Sequence, residues 1–114
     1  MSLTSDLLRG YTDTIILRRL AEGESYGYLI NKRVWELSGG MFELKEATLY
    51  TAFRRLETAG LIASRWGDEA TGARRRYYSL TEAGRDRLAK DCNTWADTRA
   101  LLDTLLLQGD VSHE

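Results

Sequence analysis

The chain of 114 residues contains no proline, one cysteine and one histidine. Without proline, its internal boundaries must be set by glycine and by helix caps. Cys92 alone cannot close a disulfide within the chain, and no Cys/His cluster offers the ligand set of a structural zinc site. His113 is the only histidine, and neither a Gly-x-Ser-x-Gly elbow nor a glycine-rich phosphate loop occurs. Neither catalysis nor a cofactor is therefore expected. No apolar run approaches the roughly 18–20 residues of a membrane-spanning helix. The first residues, MSLTSDLLRG, lack the basic-then-apolar pattern of a secretory signal. The expectation is a cytoplasmic protein with no membrane partner.

What is present is an ordinary globular composition, 43% hydrophobic and 29% charged, in a length that suits one domain. The net charge of −1 conceals a division along the chain. Residues 1–44 carry five basic and six acidic side chains, residues 45–80 seven and four, and residues 81–114 four and seven. A basic middle between acidic flanks is compatible with a local polyanion site, although short windows also vary this much by chance.

Periodicity predicts a first helix from Asp6 to Ala21 with two apolar stripes, one through Leu8, Tyr11 and Ile15, the other through Ile16, Leu17 and Leu20. Ser25 is the expected N-cap of a second helix reaching Ser38, whose inward stripe is Tyr26, Ile30, Val34 and Leu37. A third helix follows from Glu46 to Ala59, with Leu49, Phe53 and Leu56 inward and Lys45 a poor cap. The period then becomes two, giving strands Leu61–Trp66 and Arg75–Leu80 around a hairpin loop over 67–74. Thr81 caps a final helix to Leu107, roughly 39 Å long.

The fold class expected is mainly α with a small β-hairpin, a winged helix-turn-helix followed by a long C-terminal dimerisation helix. Residues 1–80 form the DNA-binding domain, 81–107 the dimerisation helix, and 108–114 a flexible tail. The first helix is also expected to contribute to the dimer interface.

The outward face of the third helix carries Thr48, Thr51, Arg55 and Thr58, flanked by Tyr50 and Arg54. Hydroxyl and guanidinium groups suit groove reading, but any amphipathic helix has a polar face. Arg74, Arg75 and Arg76 border the hairpin loop and can neutralise phosphates; alternation sends one of them to the opposite side of the sheet. In the last helix Leu88, Cys92, Trp95, Leu102 and Leu106 form a seam interrupted by Arg99. A terminal helix this long overhangs a small domain, so a second copy of the chain is the expected partner, with Leu8 and Ile15 joining the interface. Trp95 is open to two readings, an anchor of the dimer core or a stacking platform for a flat aromatic ligand. Cys92 reads as a small hydrophobe on the same face.

The run from Glu46 to Glu57, then Gly60-Leu61-Ile62, Trp66-Gly67-Asp68-Glu69, Gly72, Arg74 to Tyr78 and Leu80 to Arg85 resembles the PadR family of bacterial transcriptional regulators. Tyr26-Gly27-Tyr28 matches it as well, and the likeness covers about residues 5–107. The chain looks most like short members with one C-terminal helix, especially multidrug-responsive repressors of efflux-pump genes.

That resemblance implies a homodimeric repressor of a double-stranded DNA operator. It implies DNA contacts from Lys45, Thr48, Tyr50, Thr51 and Arg54, and from Gly72, Arg74 and Arg75 of the wing; Tyr26 and Arg55 are expected to join them. It also implies a planar aromatic ligand stacked on Trp95 at the dimer centre, with Leu7, Gly10, Tyr11 and Thr14 around it; by their positions on the last helix Cys92 and Arg99 are expected at the same site. Two departures stand out. Lys45 replaces a better-capping residue, and Arg99 is expected to disfavour cationic ligands unless Asp13 offsets it. The alternatives are a repressor with a structural Trp95 and another signal, or a winged-helix module that binds protein instead of DNA.

Overall fold

The computed structural model describes residues 3–67 and 74–108. In chain order these form α1 (Leu3–Leu8), a 3-10 turn (Arg9–Tyr11), α2 (Thr12–Leu20), α3 (Gly27–Leu37), α4 (Glu46–Thr58), β1 (Ile62–Trp66), β2 (Arg76–Leu80) and α5 (Glu82–Leu106). The two strands pair antiparallel, from Ile62 opposite Leu80 to Trp66 opposite Arg76. The fold is the mostly helical winged arrangement read from the sequence. Most of the expected hairpin loop, Gly72 included, lies outside the described residues, as does the expected tail beyond Gln108.

Three local expectations are corrected. The first helix is not continuous, because the 3-10 turn at Arg9–Tyr11 divides it where Gly10 lowers helix propensity. Thr12, buried at the start of α2, donates its hydroxyl to the Arg9 carbonyl at 3.1 Å and fixes the join. Ser25 does not cap α3; Tyr26 takes the N-cap position with no side-chain cap. The Ser25 backbone instead exchanges two hydrogen bonds with Tyr78, at 3.0 and 2.7 Å, and so covers the outer edge of β2. Those two bonds satisfy peptide groups at a buried residue, a larger gain than one exposed cap bond. Leu37, expected inward, is 54% exposed.

The core gathers Ile16, Leu17 and Leu20 from α2, Ile30 and Val34 from α3, Leu49, Phe53 and Leu56 from α4, and Ile62 and Tyr78 from the hairpin. Phe53 stacks on Tyr78 with ring centres 3.9 Å apart, which locks α4 to β2. Thr81 does cap α5: its hydroxyl oxygen accepts from the Gly84 N–H at 3.0 Å and its O–H donates to the Gly60 carbonyl at 2.7 Å. Leu88 is buried in this same core, so the contact expected between two chains is made within one. Beyond Leu88, α5 still meets the first helices through Asp91 and Trp95 before it runs on to Leu106, and the molecule extends 69 Å along its major axis.

Candidate nucleic-acid interface and central cavity

The position of α4 is set by polar contacts from α3. The Asn31 side-chain amide donates to the Leu44 carbonyl at 2.7 Å and accepts the Leu44 N–H at 2.8 Å, a two-way clamp on the linker before α4. The Ser38 hydroxyl accepts from the Phe42 N–H at 3.0 Å at the other end of that linker. Asn31 was not singled out from sequence, since an amide on a helix face gives no sign of the backbone it will meet.

Lys45, Thr48, Tyr50, Thr51, Arg54 and Arg55 are all exposed on or just before α4. Lys45 occupies the N-cap position and makes no side-chain cap, as its chemistry predicts. Arg55 is held by the Asp13 carboxylate of α2. That bond raises the guanidinium pKa above its ordinary value. Tyr50 leans over α3, where a Cβ on Gly27 would come within 2.7 Å of its hydroxyl. The glycine of the Tyr-Gly-Tyr motif therefore makes room for a ring of α4.

In the wing, alternation sorts the arginines as expected. Arg74 and Arg76 lie over the Trp66 ring, 5.0 and 5.2 Å from its centre, while Arg75 lies over Tyr26 at 4.7 Å. Arg65 bonds Glu24 twice, at 2.8 and 2.7 Å, and stacks on Tyr77. This bonding holds the Glu24 carboxyl below its ordinary pKa. An open cleft of about 520 Å³ is bounded by Tyr26 and Tyr28 on one side, Tyr50 on α4, and Trp66 with Arg74, Arg75 and Arg76 on the wing. Aromatic faces beside guanidinium groups suit a sugar-phosphate backbone. Tyr28 and Trp66 were not among the predicted contacts; the Tyr-Gly-Tyr spacing and the tryptophan opposite the arginine run were the available signals.

The second region surrounds Trp95. Tyr11 meets its ring edge-on at 5.5 Å, and both residues border two open pockets of about 500 and 220 Å³. The larger is mostly apolar, with Leu8, Ile15, Val34, Leu37, Phe42 and Cys92 in its walls, and Thr14, Arg18, Arg19 and Asp91 as polar members. Gly10 and Thr98 face the smaller. The Thr14 hydroxyl donates to Asp91 at 2.8 Å, and Arg87 holds the same carboxylate at 3.1 Å. Burial lowers the Arg19 pKa from its ordinary value.

Two expectations about this region change. Arg99 and Leu7 line neither cavity. Asp13 faces the smaller cavity but is committed to Arg55 and does not offset Arg99. The carboxylate near Trp95 is Asp91, one helical turn before it, a spacing visible in the sequence. Trp95, Leu101, Leu102, Leu105 and Leu106 are between 43% and 70% exposed, an apolar stripe with no cover in the single chain. Among the described residues no helix is long and apolar enough to cross a membrane, and no cluster of three or more acidic, histidine or cysteine side chains could hold a metal ion.

Comparison with known proteins places this geometry in context. The family described as the transcriptional regulator PadR-like family matches residues 16–90. A protein of Lysinibacillus sphaericus, described as uncharacterized protein X, is 38% identical over 105 residues, covering 92% of this chain and 95% of that one. A transcriptional regulator of Clostridium thermocellum has a similar structure, with a TM-score of 0.82 at 42% identity over 90% of this chain and 99% of that one. A PadR family transcription regulator of Clostridium difficile gives a TM-score of 0.75 at 36% identity, over 84% of this chain and 98% of the other.

Proposed function

The chain belongs to the PadR-like family of transcriptional regulators, and from that premise we propose that it is a DNA-binding repressor acting as a homodimer on a two-fold operator. The observation that carries this reading is the cleft between α4 and the wing. There Tyr50 of the recognition helix and the guanidinium groups of Arg74, Arg75 and Arg76 border one space. Thr48, Thr51 and Arg54, exposed on α4, read base edges in the major groove, while the wing arginines take backbone phosphates. The uncovered leucines of α5 support pairing of two chains, which gives the operator its two-fold symmetry.

The same proposal makes the protein ligand-responsive. A planar aromatic compound stacks on Trp95 in the cavity shared with Tyr11, and shifts the relative placement of the two winged domains. Its controlled gene, by resemblance to the drug-responsive members, encodes a multidrug efflux system. The edge-on Tyr11 contact favours a second reading, in which Trp95 is a structural member of the dimer and the signal enters elsewhere.

A salt titration of duplex binding tests the DNA reading. The logarithm of the association constant should fall linearly with log salt, by close to one unit per phosphate contact. Binding to protein partners with no measurable affinity for any duplex would replace this reading with the interaction-module alternative.

A further inference from the structure

Trp66 ends β1 opposite Arg76 and is 51% exposed, although it is a large apolar side chain with a domain core nearby. Its ring is the meeting point of two cations, Arg74 and Arg76. Arg76 has a second commitment. Its Nη2 lies 3.7 Å from Oε1 of Glu57, and Oε2 of Glu57 accepts from the Ser64 hydroxyl at 2.6 Å. Glu57 belongs to α4, Ser64 to β1 and Arg76 to β2. One carboxylate thus fastens both strands of the wing to the recognition helix.

From that anchor a chain of contacts runs outward, Glu57 to Arg76 to Trp66 to Arg74. Arg74 is where the described backbone resumes after the hairpin tip, and among the described residues no carboxylate pairs with it. An aromatic face attracts a guanidinium through its quadrupole and does not use up N–H donors, so Arg74 is located without being neutralised. A carboxylate in the same place would fix the side chain equally well but cancel the charge that a phosphate needs.

On the reading that the wing meets DNA, we infer that Trp66 is a positioning residue for DNA binding. Stacked on Arg76, itself tied to α4 through Glu57, the indole holds Arg74 at a set place relative to the recognition helix. The phosphate contact of the wing and the base contacts of α4 then fall in register. A long arginine at a hairpin would otherwise lose much rotamer freedom on meeting its phosphate, and the indole reduces that loss in advance.

The test uses the full-length protein and two duplexes of about 30 base pairs. One is of random sequence, and the other is selected by the wild-type protein from a random library. Affinity is measured by fluorescence anisotropy across a salt series for wild type, Trp66→Leu, Trp66→Phe, Arg74→Ala and the double variant Trp66→Leu/Arg74→Ala. Trp66→Leu is expected to bind the selected duplex about five- to thirty-fold more weakly, with the salt slope reduced by about one unit per affected wing arginine. Trp66→Phe, which keeps a π face, should recover part of the loss. In the Arg74→Ala background the leucine substitution should cost markedly less, because the side chain it positions is gone.

Equal losses with and without Arg74 would overturn the inference and make the indole a direct DNA contact or a hairpin prop. Unchanged affinity in Trp66→Leu would overturn it too. Should the leucine variant unfold at the assay temperature, Trp66→Phe and its double variant with Arg74→Ala give the same cycle with a smaller expected effect. Wild-type protein that binds neither duplex overturns the DNA-binding reading itself, and the inference falls with it.

Discussion

Asp13 on α2 holds Arg55 on α4, a charge-assisted link from α2 to the exposed face of α4. Asp13 and its chain neighbours Tyr11 and Thr14 all border the smaller cavity beside Trp95. Tyr11 lies edge-on to Trp95, and Thr14 bonds Asp91 of α5. One turn of chain therefore touches both the cavity wall and the helix proposed to read DNA. A ligand that moves Tyr11 away from Trp95 acts on the same turn that holds Arg55.

Contiguity alone is not coupling, so the link calls for a functional measurement. Asp13→Asn should lower stability by no more than about 1 kcal/mol, since Arg55 is half exposed and such pairs are weak. Its effect on the response should be larger. The ratio of operator affinities with and without a saturating planar aromatic compound should move toward one in the variant. A ratio equal to that of the wild type would remove this turn from the route.

Tryptophan emission reports directly on the cavity. Planar aromatic compounds, one cationic and one anionic, should quench the wild type saturably and leave Trp95→Ala unquenched. Trp35 and Trp66 also emit and are half exposed, so the variant is the control for nonspecific quenching. The ionic members of the cavity wall are Arg18, Arg19 and Asp91; Asp91 is held by Arg87 and Arg19 by Glu22, which leaves the charge of Arg18. The anionic compound should therefore bind more tightly. Equal quenching of both proteins would return Trp95 to a structural role.

The parts of this architecture governed by local rules were legible in the sequence. The change of period after Gly60 marked the hairpin to within a residue, and Thr81 could be named as a cap because its hydroxyl and the Gly84 N–H are close along the chain. Alternation alone separated Arg75 from Arg74 and Arg76. The partners that come from distant segments were not legible. Ser25 has the chemistry of a cap, and only the arrival of Tyr78 turns it into a strand edge. Leu88 fits an interchain seam by spacing, yet α5 starts against the hairpin and carries that leucine into the core of its own chain. Asn31 and Glu57 owe their roles to backbones or side chains that no spacing rule connects to them.

Two glycines should respond in opposite directions to alanine. A Cβ on Gly84 would stand 2.1 Å from the Leu61 carbonyl oxygen, a backbone atom fixed by the hairpin. Gly84→Ala must lever α5 away from β1 and should cost about 3 kcal/mol or more. Gly10 meets nothing within 4 Å, so Gly10→Ala should be neutral or stabilise by up to about 1 kcal/mol through the unfolded chain. Urea denaturation of both variants checks the pair. A harmless Gly84→Ala would mean that the close packing of α5 on Leu61 is absent.

The Glu24–Arg65 pair gives stability a defined pH dependence. Its hydrogen bonds hold the Glu24 carboxyl below its ordinary pKa in the folded chain. Stability from this group is therefore fully present above the unfolded carboxylate pKa and is lost as pH falls through the lower folded value. The stability difference between wild type and Glu24→Gln should be largest at neutral pH and shrink toward about pH 3. A difference that stays constant across that range would show that the charge on Glu24 contributes nothing.

The leucines of α5 divide into two classes with separable consequences. Leu88 is buried against its own domain, whereas Leu102 and Leu106 are 43% and 70% exposed in the single chain. Leu88→Ala should destabilise the fold itself by about 2–5 kcal/mol, as deletion of a core side chain does. Leu102→Glu with Leu106→Glu should leave that core intact, because neither side chain belongs to it. What this second change alters is the surface proposed to pair two copies, since a carboxylate in an apolar seam must be desolvated without a partner. Sedimentation should then give a dimer for the wild type and a monomer for the double glutamate variant, with its winged domain still folded by circular dichroism. The monomer should keep weak, salt-sensitive affinity for DNA but lose its preference for two-fold sites, because one recognition helix covers only half of such a site. A double glutamate variant that remains a dimer would move the interface off this end of α5.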